Sequence, residues 1–312
     1  ESSLEAVVDG DIAVYSGVFN SYVDTMDYIT ITSTGNATDF GNMTVGKDSC
    51  ATTANGGNGR GLHFMGRLSG GTETNIIEYI TINTPGNATD FGDCSSATYN
   101  ASACSNGIND RGVVSLGIIT DSNDSNVLEY VTISSTGNAT DFGDMTVLCS
   151  YGGGTSNGIN DRGIILRGNS TGGGVTFNNH IEYITISSTG NSTDFGDLTE
   201  AKHGLSGTTS NGTSDRAVVG GGVNSSAKVN VIEYFTISST GNATDFGDLS
   251  NTHKYVGAAS NGTGDRAVWS GGFDATVNVM EYVTISSTGN ATDFGDSTAS
   301  GMSQGVSNAG GN

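Results

Sequence analysis

Short apolar runs of β type, separated by glycine, asparagine and serine, follow one another along this chain, and the same series returns six times. In one copy, residues 215–222 form a short apolar run ending in glycines. Residues 230–237, Asn-Val-Ile-Glu-Tyr-Phe-Thr-Ile, are rich in β-branched and aromatic side chains. Ser239-Thr240-Gly241-Asn242 marks a turn, 243–249 a third strand, and 253–260 a weaker fourth closed by Asn261-Gly262. Such runs bounded by turn residues predict hairpin-linked strands. Apolar groups at both parities in 231–237 predict strands buried on both faces. No segment sustains a 3.6-residue apolar period, so helix is not expected.

The repeat tyrosines are Tyr28, Tyr79, Tyr130, Tyr183, Tyr234 and Tyr282, spaced 51, 51, 53, 51 and 48 residues apart. A unit of that length with four strands predicts a propeller blade rather than a solenoid coil, whose repeats are usually shorter. The expected fold is all-β: a six-bladed β-propeller of four-stranded antiparallel blades, one domain over residues 1–312. Residues 11–17 align with 265–271, and 303–308 with 256–261. The chain therefore enters at a second strand and leaves after a first strand. The C-terminal strand is expected to complete the N-terminal blade and close the ring, removing open edges. Asn-Gly recurs at Asn55, Asn106, Asn157, Asn211 and Asn261, with Asn308-Ala309 as a degraded copy, and predicts type I′ turns.

Composition narrows the partners. Thirty-two acids against 11 bases leave a net charge of −21. Phosphate binding needs a basic stripe, so nucleic acid is not an expected partner, and anionic membrane surfaces are disfavoured. No apolar stretch approaches the ~18 residues of a membrane helix, so membrane insertion is not expected. The 49 glycines recur at fixed places and read as turn chemistry. The first residue, Glu1, suits a processed or truncated product. Cys94 and Cys104 share one inter-strand segment and form the candidate disulfide; the alternative is that these two, with Cys50 and Cys149, are free thiols.

The paired glycines at Gly221-Gly222 and Gly271-Gly272, each followed by a strand with a central tyrosine, resemble Kelch-type propeller repeats. The Kelch tryptophan is missing, with the Phe of Asp-Phe-Gly-Asp in its place. The string Ser-Thr-Gly-Asn-Ala-Thr-Asp-Phe-Gly-Asp is similar to repeats of structural and tail-associated proteins of marine bacteriophages and related viruses. That resemblance implies a virion or extracellular location.

Recurring polar positions supply the candidate sites. An acid precedes each tyrosine: Asp27, Glu78, Glu129, Glu182, Glu233 and Glu281. Arginine recurs at Arg60, Arg111, Arg162, Arg216 and Arg266, with Ile12 in the first unit. The expected role is a structural fork between each arginine and a repeated carboxylate. The paired aspartates of the Asp-Phe-Gly-Asp loops, such as Asp194, Asp197, Asp245 and Asp248, are weak candidates for calcium, the one cofactor considered. Asn36, Asn87, Asn138, Asn191, Asn242 and Asn290 head glycosylation sequons, and equally suit turns. His203 and His253 read as equivalent positions in adjacent units, one place of which is Cys149 a unit earlier. No nucleophile–base–acid set can be built from repeat positions, so no catalytic residue is assigned.

The expected function is therefore a non-enzymatic virion or extracellular surface protein. It would display loops that differ between units, such as 120–124 and 171–174, to glycans or neighbouring subunits. The alternatives are a secreted glycoprotein of a eukaryote or its virus, with occupied sequons, and an extracellular carbohydrate-active enzyme on the same scaffold.

Overall fold

Antiparallel strands carry the fold in a computed structural model that describes residues 10–119, 123–169, 176–273 and 278–309. The variable segment 171–174 and residues 120–122 lie outside the described residues. One four-stranded sheet runs Met302–Ser307, Ile12–Val18, Thr25–Thr30, Thr38–Asn42. The C-terminal strand thus completes the N-terminal sheet, with Val306 opposite Val14 and Met302 opposite Val18. Three more four-stranded sheets follow the same order, for example Thr208–Ser210, Arg216–Gly220, Val229–Thr236, Thr244–His253. The second and third units fuse into a ten-stranded sheet, because the short strand Ile118–Ile119 pairs with both Thr89–Tyr99 and Asn123–Thr132.

Burial falls from the inner strands outward. Arg216–Gly220 is buried after its arginine, whereas Thr244–His253 is buried only at Phe246, Leu249 and His253. Alternate side chains of each inner strand enter different cores. Val113 packs with Cys104, Phe142 and Ile165, while Val114 packs with Phe64, Phe91 and Ile133. Each core joins one unit to the next, and the sixth unit to the first, where Val268 and Phe294 meet Tyr15 and Ile31. In every unit the phenylalanine of Asp-Phe-Gly stands edge-on to the repeat tyrosine, centroids 6.0–6.3 Å apart, an arrangement favoured by the ring quadrupoles. Residues from all six innermost strands, among them Ala51, Ala103, Gly154, Thr208, Ala258 and Gly305, line one narrow central cavity. Small side chains are required there: a Cβ on Gly154 would lie 2.3 Å from the Ala103 carbonyl oxygen.

Two local expectations change. The Asn-Gly pairs are not type I′ turns, because the asparagine has negative φ: −95° at Asn55, −94° at Asn106. Each asparagine instead precedes a short 3₁₀ turn that ends in a left-handed residue, Asp110 in the third unit. Its side chain decides the geometry. Asn106 Oδ1 accepts from the Arg111 amide at 2.8 Å, and Nδ2 donates to Asp161 of the next unit at 3.1 Å. The expected strand over 253–260 also divides. His253 ends the outer strand Thr244–His253, Tyr255 turns the chain at φ +56°, and the inner strand is Gly257–Ser260.

Candidate functional site

The repeated acids are latches between units. Asp27, Glu78, Glu129, Glu182, Glu233 and Glu281 are all buried. Each accepts the backbone amide of a Ser or Thr in the preceding unit: Thr44 to Glu78, Ser95 to Glu129, Thr146 to Glu182, Thr199 to Glu233, Ser250 to Glu281 and Thr298 to Asp27, at 2.6–3.2 Å. The last contact spans the chain's two ends. Three latches also hold a buried base: Lys47 3.2 Å from Glu78, Arg167 3.2 Å from Glu182 and Lys202 2.7 Å from Glu233. The two lysine contacts are close but not aligned as hydrogen bonds. Burial pushes the Glu78 carboxyl up, but Lys47, His63 and the Thr44 bonds outweigh it and leave it below the usual range. Without a base, burial leaves the Asp27 and Glu281 carboxyls raised, despite their hydrogen bonds. The latching Ser or Thr, two residues after Asp-Phe-Gly-Asp, was legible in every repeat and escaped the sequence reading.

The arginines do not form the expected fork with a repeated carboxylate. Arg60, Arg111, Arg162, Arg216 and Arg266 lie over the tyrosine of their own unit, 4.2–4.6 Å from Tyr79, Tyr130, Tyr183, Tyr234 and Tyr282. Each then donates to a carbonyl of the next unit, Ile133, Ile186, Ile237, Ile285 and Ile31 respectively. Strand parity explains this. Arg111 pairs with Thr132, two residues from Tyr130, so arginine and tyrosine share a face, and Glu129 points to the other.

The remaining candidates divide. Each sequon asparagine, Asn36, Asn87, Asn138, Asn191, Asn242 and Asn290, is exposed, and its Oδ1 accepts a backbone amide of the neighbouring unit at 3.0–3.1 Å. Asp194 and Asp245 are exposed, Asp197 pairs with His180 at 3.0 Å, and Asp248 is half-buried. Among the described residues no three His, Cys, Asp or Glu side chains gather as metal ligands. Cys94 and Cys104 are free, because they lie in different inter-unit cores. Burial pushes the Cys50, Cys104 and Cys149 thiols up to about 12, so they are poor nucleophiles. His253 is equivalent to Lys202 and Cys149, each the last residue of its outer strand, and not to His203.

The sixfold pattern breaks at one end of the central cavity. The residues turning the chain into the inner strands are Ser49, Asn100, Tyr151, Gly204, Tyr255 and Gly301, all left-handed, with φ of 58°, 55°, 55°, 74°, 56° and 82°. Backbone bonds link five of the six in a partial ring: Asn100 donates to the Ser49 carbonyl, Tyr151 to Asn100, Gly204 to Tyr151 and Tyr255 to Gly204, at 2.8–3.1 Å. Glycine suits this conformation, and tyrosine is strained in it. Around the ring Phe19 stacks on Tyr255 at 4.5 Å, Tyr151 packs on His203 at 5.3 Å, and His203 on Phe177 at 5.3 Å. Arg67 lies 5.2 Å from the Tyr99 ring and 5.8 Å from Phe19 and Tyr22, held by Asp48 at 3.1 Å and Asn20 at 2.7 Å. Burial, with Lys254 nearby, lowers His203 to about 4, so it is neutral at physiological pH. At the opposite end of the cavity, Ile108 and Ile159 are exposed beside Thr213 and Thr263.

No protein-family model matches this chain, and no curated protein does. Among solved structures, that of YjhT, a Kelch-repeat β-propeller protein, matches with a TM-score of 0.67 at 11% identity, over 92% of this chain and 95% of that one. At that identity the likeness shows the fold alone, which is all-β and propeller-like. The bacteriophage resemblance finds no support in these comparisons.

Proposed function

We propose that this chain is a six-bladed propeller serving as a non-enzymatic recognition and structural protein on a virion or extracellular surface, with glycans and neighbouring subunits as its partners. The six blades are supported by contacts that pass from unit to unit and return from the sixth to the first. One observation carries the functional reading. The repeated carboxylates and arginines that a reaction would draw on are committed to holding units together, while the side chains that differ between units gather around one end of the cavity. A symmetric frame with one divergent face is suited to binding.

Screening the purified protein on a glycan array, with product release assayed on the glycans that bind, tests this. Binding without turnover is expected. Released sugar would overturn the non-enzymatic assignment, and no binding to any glycan or surface partner would overturn recognition.

The six exposed sequon asparagines favour a second reading, a secreted glycoprotein, because each is open to solvent and its Oδ1, not its Nδ2, makes the bond to the neighbouring unit. Intact mass of the protein from its natural source decides: added hexose and N-acetylhexosamine mass supports it, and the bare polypeptide mass rejects it.

A further inference from the structure

We propose that the aromatic ring of Tyr151, Tyr255, Phe19, Tyr22 and Tyr99 is the binding site, and that it takes an uncharged saccharide; this rests on the recognition reading above. Three observations converge on that chemistry.

The first is backbone strain. Six equivalent positions share one left-handed conformation, and two of them, Gly204 and Gly301, are the glycines it favours. At Tyr151 and Tyr255 the same conformation carries a tyrosine ring, which strains the backbone where glycine would not. The left-handed backbone at Tyr151 does not itself call for a ring, because glycine serves at the equivalent position of the neighbouring unit. The Tyr151 side chain is half-buried and lines a small cavity beside Phe19 and Tyr255.

The second is unpaired neutral polarity. A cavity of about 10 Å³ lies beneath the rings, lined by Phe19, Tyr151, Tyr255, Ser49, Ser206 and Gln304. The hydroxyls of Ser49 and Ser206 are buried there with no hydrogen-bond partner. Leaving such groups unmade costs free energy. The volume suits one water or one hydroxyl arm of a ligand. Aromatic walls beside unpaired hydroxyls fit a molecule with C–H faces and hydroxyl edges.

The third is charge. Arg67 and Lys254 already lie over these rings, which disfavours a cationic ligand. Arg67 is neutralised by buried Asp48, and the chain's charge is −21, which disfavours an anionic one. An uncharged, hydroxyl-rich ring remains. A pyranose would lie across Tyr99, Tyr22 and Tyr151 and place one hydroxyl toward Ser49 and Ser206.

Tyr151→Gly separates binding from folding, because glycine adopts this conformation without strain. Isothermal titration with a panel of neutral methyl glycosides and disaccharides, beside sialyllactose and choline, gives the readout, with Tyr99→Ala as a second variant. The expected result is binding of at least one neutral sugar, weakened about tenfold or more in each variant, with the melting temperature of Tyr151→Gly unchanged or raised. Unchanged affinity in both variants would overturn the site. Binding of only sialyllactose or only choline would overturn the uncharged class. A glycan captured on the array but unaffected by either variant would reject this site while leaving the recognition reading intact.

Discussion

At the scale of single residues, alternation along a strand decides which polar partners meet. The acid and the tyrosine are adjacent, so they face opposite sides; the acid meets a Ser or Thr of the preceding unit, and the tyrosine carries the arginine. That division was legible in the sequence, since arginine pairs across from the residue two beyond the tyrosine. Removing the guanidinium from Arg111 should cost about 1–3 kcal/mol, combining the ring contact and the bonds to Ile186 and Ser187. Arg111→Lys should recover only part of it, because the planar fork is lost. Urea unfolding of the two variants checks the order. A second residue-scale prediction concerns acid. His63 is fully buried, and burial, with Lys47 opposing and Glu78 favouring its charge, lowers it to about 4. The folded state therefore disfavours the proton that the unfolded chain accepts near pH 6.5. Its contribution is present above pH 6.5 and is lost as pH falls toward 4, at most about 3 kcal/mol. His63→Leu should flatten the stability profile between those values. Asp27 and Glu281 act in the opposite sense, since their raised carboxyls gain stability on protonation. Melting temperatures from pH 7 to pH 4 in the two proteins measure the difference.

At the scale of the element, the informative feature is the bulge within Asp-Phe-Gly-Asp. The register shifts there in each unit, as between Leu128 and Glu129. Gly143 has φ +145°, and a Cβ on it would lie 2.5 Å from the Gly190 carbonyl oxygen of the next unit. Gly190 in turn donates to the Phe142 carbonyl at 2.8 Å. The glycine thus allows two units to touch through backbone. Gly143→Ala should destabilise by at least about 2 kcal/mol, read as a shift in the urea midpoint, while Gly137→Ala, with open space at its Cβ, tests strain of backbone alone. How much of each element was legible follows from the distance of its partners. The strands and their order could be read because alternation and repetition are local. The conformation of Asn-Gly could not, because Asn106 is set by Asp161, 55 residues away. The aromatic ring could not either, since Phe19, Arg67, Tyr99, Tyr151 and Tyr255 are joined only when successive units come together.

At the scale of the whole molecule, closure is the question. The first and last described segments meet: Gly10 lies within 3.6 Å of Ala309 by its would-be Cβ, Ile12 donates to Asn308 Oδ1 at 2.9 Å, and Thr298 holds Asp27. The seam uses the same acid latch as every other join, and Asn308, at the end of the C-terminal strand, donates to Asn83 of the second unit at 2.7 Å. If the units are equivalent, the position of the chain break is arbitrary. A circular permutant that links residue 309 to residue 10 and opens at Ile108, in the exposed turn between an inner and a second strand, should therefore fold and melt within a few degrees of the parent. Deleting 300–312 without such a link should do the reverse, because it removes the strand Met302–Ser307 and leaves Ile12–Val18 with an open edge. The expected pair of results is a monomeric, cooperatively melting permutant and an aggregating deletion. A permutant that fails to fold would mean that the seam carries an interaction the other joins lack. A deletion that melts unchanged would mean that the C-terminal strand contributes nothing to closing the ring.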